Sequence, residues 1–242
     1  MQGAPPIAAI MVTGKTVARY ALARAAIQSF LSQDYNGKTH LFIINDNPAP
    51  LLEEATSYAN VTEVRVPLRA TPCTLGELRN VGLDMAADGF DYVVQWDDDD
   101  FSLPHRLSYQ IKETTRGTAS IFRWQTQYNL ATGACFAGCG NVSTVKGFAG
   151  TMLFPATTKA RFQSVARGED TYFLQAVKQK TTLHVISNRP EIYLRLYHGH
   201  NTWPESHVMR RRAGSRQLHD NELAIVRQIV ETNYPWAASR AE

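Results

Sequence analysis

Disulfide chemistry has little to work with in this 242-residue chain, which carries three cysteines, Cys73, Cys135 and Cys139, and no C-x-x-C pair. An odd count cannot be paired within one chain, and the spacing offers neither a zinc knuckle nor a thioredoxin-type redox site; the expected compartment is a reducing cytoplasm. Long hydrophobic runs are missing as well. Residues Met1 to Pro6 contain no Lys or Arg, and the apolar run Ile7 to Val12 is too short for a signal segment or a membrane-spanning helix. Charge of one sign is also scarce, since 25 Lys and Arg face 22 Asp and Glu for a formal net charge of +3. A polyanion is therefore not the default partner, and any nucleic-acid role needs a local patch. Internal repeats and low-complexity linkers are absent. What is present, 44% hydrophobic and 19% charged residues, is enough apolar material for a packed core and excludes a disordered or collagen-like chain. The length fits one large domain, 1–242.

Along the chain, apolar runs alternate with helix-period segments. A strand is expected at Ile7 to Val12, a helix from Val17 to Leu31, a strand at His40 to Asn45, and a short helix near Leu51 to Tyr58. Then follow a strand at Thr62 to Val66, a helix Leu75 to Ala87 and a strand Tyr92 to Trp96. This β-α-β alternation predicts an α/β fold, a mostly parallel sheet flanked by helices. After a helix from Pro104 to Arg116 the character changes. Short strand-like runs at Ser120 to Tyr128, Asn141 to Val145 and Thr151 to Phe154 are punctuated by glycines, which suggests a smaller antiparallel extension. A helix at Asp170 to Lys178, strands at Leu183 to Ser187 and Ile192 to Tyr197, and an amphipathic helix Asn221 to Thr232 close the sequence.

The run Asp97-Asp98-Asp99-Asp100 directly follows an apolar strand. Ligands of open parallel sheets bind at the carboxyl ends of the strands. Two carboxylates in contact repel by about 1 kcal/mol in water and about 4 kcal/mol at an effective dielectric near 20, a cost that a divalent cation removes. Oxygen ligands suit Mg²⁺, Mn²⁺ or Ca²⁺, and the first two commonly bridge carboxylates to substrate phosphates. A solvated acidic turn before the helix at Pro104 is the plainer alternative, but Ser102 suffices as that helix's start signal.

Five stretches in order carry a more specific resemblance. The helix Leu75-Gly-Glu-Leu-Arg79-Asn80-Val-Gly82 is followed by the strand and cluster Tyr92 to Asp100 and by Pro104-His-Arg106-Leu107. Around them stand Gln28 to Tyr35, Ile43-Ile-Asn45-Asp46-Asn47, Gly168-Glu169-Asp170-Thr-Tyr-Phe173 and Tyr197-His198-Gly-His200-Asn201-Thr202-Trp203. Together these resemble the family 2 glycosyltransferases of the GT-A fold over about residues 7 to 207. The resemblance implies a GT-A, Rossmann-like architecture with a nucleotide-sugar and metal half (1–117), an acceptor half (118–204) and a C-terminal loop and helix (205–242).

By the same resemblance, Asp97 and Asp99 hold Mn²⁺ or Mg²⁺ against the leaving diphosphate, with a C-terminal histidine, His198 ahead of His200, completing the shell. Asp46 binds base or ribose, Arg79, Asp98 and Glu169 touch the nucleotide-sugar, and Asp170 is the base that activates an acceptor hydroxyl. The donor is a nucleoside-diphosphate sugar, UDP-sugar first, and transfer is inverting. The residues themselves leave plainer roles open: a helix cap for Asp170, a turn for Asp46 beside Asn47-Pro48, a solvated helix position for Arg79 and, after the histidines, an Asn201-Thr-Trp203-Pro turn that simply buries its Trp. Thr13-Gly-Lys-Thr16 and Asn45-Asp46-Asn47 depart from the family's usual turns, which weakens the nucleotide assignment. The acceptor is a saccharide first, with a nucleic acid raised only by the arginine-rich stretch Arg210 to Arg216, which also suggests a lid over bound donor. Other readings of the acidic run are a nucleotidyltransferase, for which Gly14-Lys15-Thr16 lacks the rest of a phosphate loop, and a non-catalytic calcium-dependent carbohydrate-binding module.

Overall fold

The computed structural model describes residues 3–14, 16, 19–52, 58–67, 69–140, 145–165, 167–201 and 214–238. The first half builds β1 (Ile7–Thr13), α1 (Tyr20–Leu31), β2 (Thr39–Asn45), β3 (Val61–Arg65), α2 (Leu75–Met85) and β4 (Tyr92–Gln95). β1 pairs in parallel with β2 and with β4, and β2 with β3, so the carboxyl ends of these strands rise together at one edge. β1 shows why the apolar run does not alternate: Ala8 and Ile10 enter one core while Ile7, Ala9 and Met11 enter the other. Helices cover both faces, so both sets of side chains leave water. The core of Ile7, Ala9 and Met11 is closed by Ala23, Ile27 and Phe30 of α1 and by Trp96. Trp96 is buried, its Nε1 donating to the Ala26 carbonyl at 3.0 Å. α2 begins at a capping box, with Thr74 and Glu77 bonding each other's backbone amides. It approaches β1 closely because residue 82 is glycine: a Cβ there would fall 2.4 Å from Ile10 Cγ2.

The remaining elements are β5 (Asp100–Ser102), α3 (Arg106–Glu113), β6 (Ala119–Phe122), β7 (Trp124–Asn129), β8 (Cys135–Cys139), β9 (Leu153–Pro155), α4 (Glu169–Lys178), β10 (Leu183–Ile186), β11 (Tyr193–Tyr197), α5 (Asp220–Asn233) and α6 (Pro235–Ala238). They complete a seven-stranded sheet of order β10-β6-β9-β4-β1-β2-β3, in which β9 is antiparallel, and a second sheet of order β5-β11-β7-β8. The expected α/β architecture with an antiparallel extension is observed.

Three sequence expectations are corrected. Ser120 to Tyr128 is two strands in different sheets, because the chain turns at Arg123 and the Asn188 side chain bonds both the amide and the carbonyl of Trp124. Cys135–Cys139 is a strand that its glycine and cysteines concealed. Ser102 does not start a helix: it lies in β5, and its Oγ accepts from Arg106 at 2.9 Å. Residues 53–57 and 141–144, on which the expected elements at Leu51 to Tyr58 and Asn141 to Val145 fall, lie outside the described residues. All three cysteines are free thiols. No helix among the described residues is long and apolar enough to cross a membrane.

The small sheet has two unlike faces. Phe101, Leu194 and Leu196 pack against Val226, Ile229 and Val230 of α5. On the other face the register sets Asp100 beside Arg195, and Arg195 beside Gln127.

Candidate active site

A cleft of about 430 Å³ opens at the carboxyl ends of β1, β2 and β4. Its floor depends on Gly14, whose φ is +129° and where a Cβ would fall 2.7 to 2.9 Å from the Asp46 backbone. Only glycine accepts that conformation and that approach, which lets the Asp46 amide bond the Thr13 carbonyl at 2.9 Å. Asp46, Arg79, Glu169, Asp170 and all four residues of the acidic run line the cleft. The side chains named from sequence as far apart as 46 and 170 therefore share one space.

The four aspartates divide by alternation. Asp98 and Asp100 are only 5% and 7% exposed, whereas Asp97 and Asp99 are half-buried. Asp98 accepts from Thr13 Oγ1 at 2.8 Å and from Arg19. Asp100 accepts from the Tyr193 hydroxyl at 2.6 Å and the Leu196 amide at 3.2 Å, tying the acidic run to β11. Asp99 Oδ2 gathers three donors, Arg19 at 2.9 Å, His198 Nε2 at 3.1 Å and Asn201 Nδ2 at 3.3 Å. Burial and the neighbouring Asp99 push Asp98 up to about 6. Asp99 itself lies lower, at about 2, because the His198 hydrogen bond and Arg19 overcome the cost of burial. Burial raises Asp97 against the pull of Arg79, and raises Asp100 well above the usual carboxylate range, with repulsion from Asp99 and Asp97 in addition.

Arg79 is not a solvated helix position. It is 9% exposed and donates to Asp97 Oδ1 at 2.9 Å and to Glu169 Oε1 at 2.8 Å, so one guanidinium spans the acidic run and the start of α4. The attraction of Asp97 and Glu169 holds its charge in place against burial. Glu169 is raised by burial and pulled back by Arg79. Asp170 is not the helix cap either, since that position is Gly168; the Asp170 carboxylate lies in the first turn and accepts from the Thr171 amide at 2.7 Å. A carboxylate there is favoured by the helix dipole and held rigidly.

Of the two histidines, geometry selects His198. Its ring is buried against Asp99, while His200 is exposed, with its ring centre 6.2 Å from that of His198. No group of three or more His, Cys, Asp or Glu side chains among the described residues converges as a metal-binding cluster. Asp99 and His198 are an adjacent oxygen and imidazole nitrogen of the kind Mn²⁺ or Mg²⁺ accepts, but that Asp99 oxygen also carries Arg19 and Asn201, as an Asp97 oxygen carries Arg79, so an ion bound there would displace those donors. Two protein ligands suit ions that keep waters and take substrate phosphates.

Sequence reading missed Thr13, Arg19, Tyr193, Arg195 and Asn201. Thr13 and Asn201 sit inside quoted segments and were open to discovery; the others carry no local signal. The arginine-rich stretch Arg210 to Arg212, with Thr202 and Trp203, lies outside the described residues.

No protein-family model matches the sequence, and no curated protein does. Solved structures do. A structure of S. aureus TarS residues 1–349 aligns with a TM-score of 0.59 at 14% identity, covering 78% of this chain and 60% of that one. The same protein in complex with UDP-GlcNAc aligns with a TM-score of 0.60 at 15% identity, over 96% of this chain and 74% of that chain. Its complex with UDP aligns equally well, at 15% identity over 96% and 73%. The fold is of the GT-A type, an α/β architecture around a mostly parallel sheet. At such identity the likeness carries the architecture alone, and the chain spans 60% of the first of these structures.

Proposed function

We propose that the chain is a metal-dependent glycosyltransferase that moves a sugar from a nucleoside-diphosphate sugar, a UDP-sugar in the first instance, to an acceptor hydroxyl with inversion. The observation that carries this reading is the convergence, in one cleft at the carboxyl ends of parallel strands, of the acidic run, whose Asp99 is backed by His198 outside the lining, and a separately held carboxylate on a helix start. That two matched structures hold UDP-GlcNAc and UDP adds to it.

In this reading Asp46 and the Thr13-Gly14 turn receive the nucleoside, and Asp99 with His198 would hold a divalent metal, which would supply charge neutralisation to the leaving diphosphate. Arg79 fixes Asp97 and Glu169, and through Glu169 the first turn of α4. Asp170 takes the proton of the acceptor hydroxyl as the acceptor oxygen bonds the anomeric carbon and the bond to the diphosphate breaks. A saccharide is the acceptor class of first choice, and the cytoplasm, where free thiols persist, is the compartment.

Titration calorimetry with UDP and Mn²⁺ tests the core of the proposal. Asp99→Asn is expected to abolish metal-dependent UDP binding, and retained binding with wild-type metal dependence would sink the metal site. Asp170→Asn is expected to keep donor binding and to lower transfer about 100-fold or more, the scale of a general base. Transfer at the wild-type rate would leave Asp170 with a purely structural role.

A further inference from the structure

Three arginines line the cleft, and their surroundings differ. Arg19 is paired with Asp98 and Asp99, and Arg79 with Asp97 and Glu169. Arg195, half-buried on β11, makes no hydrogen bond or ion pair among the described residues, although it lies beside the acidic run and Asp97, Asp99 and Asp100 all feel its charge. The reason is that the carboxylates are already engaged: Asp97 by Arg79, Asp99 by Arg19, His198 and Asn201, and Asp100 by Tyr193 and the Leu196 amide. The planar, five-donor fork of Arg195 is thus without a protein partner among the described residues, on a residue that lines the cleft.

A second observation stands next to it. Gln127 pairs with Arg195 across the sheet, is 3% exposed, and its Nε2 has no hydrogen-bond partner; Gln125, two residues away on the same face, is 2% exposed with its Nε2 likewise unpartnered. Buried amide donors are costly to leave unpaired. Neither glutamine lines the cleft, so the donors open to a ligand there are those of Arg195, and the ligand that matches a guanidinium is an oxyanion.

We propose that Arg195 is a phosphate-binding residue of the cleft, receiving a phosphoryl group of one of the reactants in the bidentate manner of guanidinium on phosphate, with Gln127 at its flank. The inference rests on the transferase reading above. The phosphate comes either from the donor's diphosphate or from a phosphate borne by the acceptor, and the two sources separate in solution.

The test is calorimetry on the full chain with Mn²⁺, comparing wild type with Arg195→Gln and Arg195→Lys, and using uridine, UDP, and inorganic phosphate added to UDP-saturated protein as probes. A wild-type protein that binds no UDP overturns the transferase reading whatever Arg195 does. Where wild type binds UDP, a loss of about 10-fold or more in UDP affinity in Arg195→Gln, with uridine affinity unchanged, supports the proposal with the donor as source. Unchanged UDP affinity with phosphate binding to the UDP-saturated protein weakened about 10-fold supports it with the acceptor as source. Equal loss of uridine and UDP affinity marks a general distortion and overturns it, as does wild-type behaviour with all three probes. Arg195→Lys keeps the charge without the planar fork and is expected to recover part of the loss. It also carries the test should Arg195→Gln fail to give a wild-type circular dichroism spectrum.

Discussion

The two sheets of this protein bury themselves in different ways. The central strands of the large sheet are apolar on both faces, with helices over each, so most of its side chains do nothing but pack. In the small sheet one face is apolar against α5, and the other carries Asp100, Arg195, Gln125 and Gln127. Parallel strands collect their carboxyl ends at one edge and so define where a ligand sits. The small sheet then lays a polar surface along that edge. The first sets the place of the cleft, the second adds Asp100 and Arg195 to its lining, and the joint between them is the acidic run, whose last residue already belongs to β5.

The division can be broken from either side. In the large sheet, Ile43 is fully buried in the core around α1. Ile43→Ala is expected to lower unfolding stability by about 2 to 5 kcal/mol in a urea titration while leaving UDP affinity unchanged. A mutant that loses affinity in proportion to stability would show that packing and chemistry are not separable.

Arg79 stands at the joint. Arg79→Ala removes the common partner of Asp97 and the buried Glu169 and is expected to cost about 3 kcal/mol or somewhat more, with loss of transfer. Glu169→Gln in the same background should restore part of the stability but none of the transfer, since it removes the stranded charge without rebuilding the bridge.

The smallest effect is expected at the outer edge of the small sheet, where Arg216 pairs with Ala137 of β8 through the backbone and with Glu222 of α5 through its side chain at 2.6 Å. The Arg216 hydrogen bond holds the Glu222 carboxyl below its usual range. A carboxyl lowered on folding contributes stability above its unfolded pKa and loses it as pH falls through the folded value. Arg216 is about a third exposed, so solvent screening keeps the contribution under about 1 kcal/mol. Glu222→Gln should therefore differ from wild type by that amount in urea titrations at pH 7, and the difference should shrink as the pH falls through the lowered range of the carboxyl.

Much of the cleft was legible in the sequence because its signals are local. The apolar runs of β1, β2 and β4 mark buried parallel strands, Thr74 and Glu77 mark the start of α2, and four successive aspartates after a strand announce a charged ligand. Glu169 and Asp170 are adjacent in sequence and both line the cleft. The partition of the acidic run was not legible: nothing in four identical residues tells that Asp98 and Asp100 are turned inward to Thr13 and Tyr193 while Asp97 and Asp99 line the cleft half-buried.

Sequence alone thus determined the α/β alternation, the strand ends and the chemical character of the acidic run, since hydrophobic periodicity and capping act over a few residues. Tertiary structure decided which groups meet. Arg19 reaches Asp98 across 79 positions, Arg79 reaches Glu169 across 90, and His198 reaches Asp99 across 99. Those meetings follow from the twist and order of two sheets packed against shared helices, and ion pairs and hydrogen bonds fall off within a few ångströms. Only the folded chain, by bringing distant backbone within that reach, selects one histidine of two and leaves one arginine of three without a partner among the described residues.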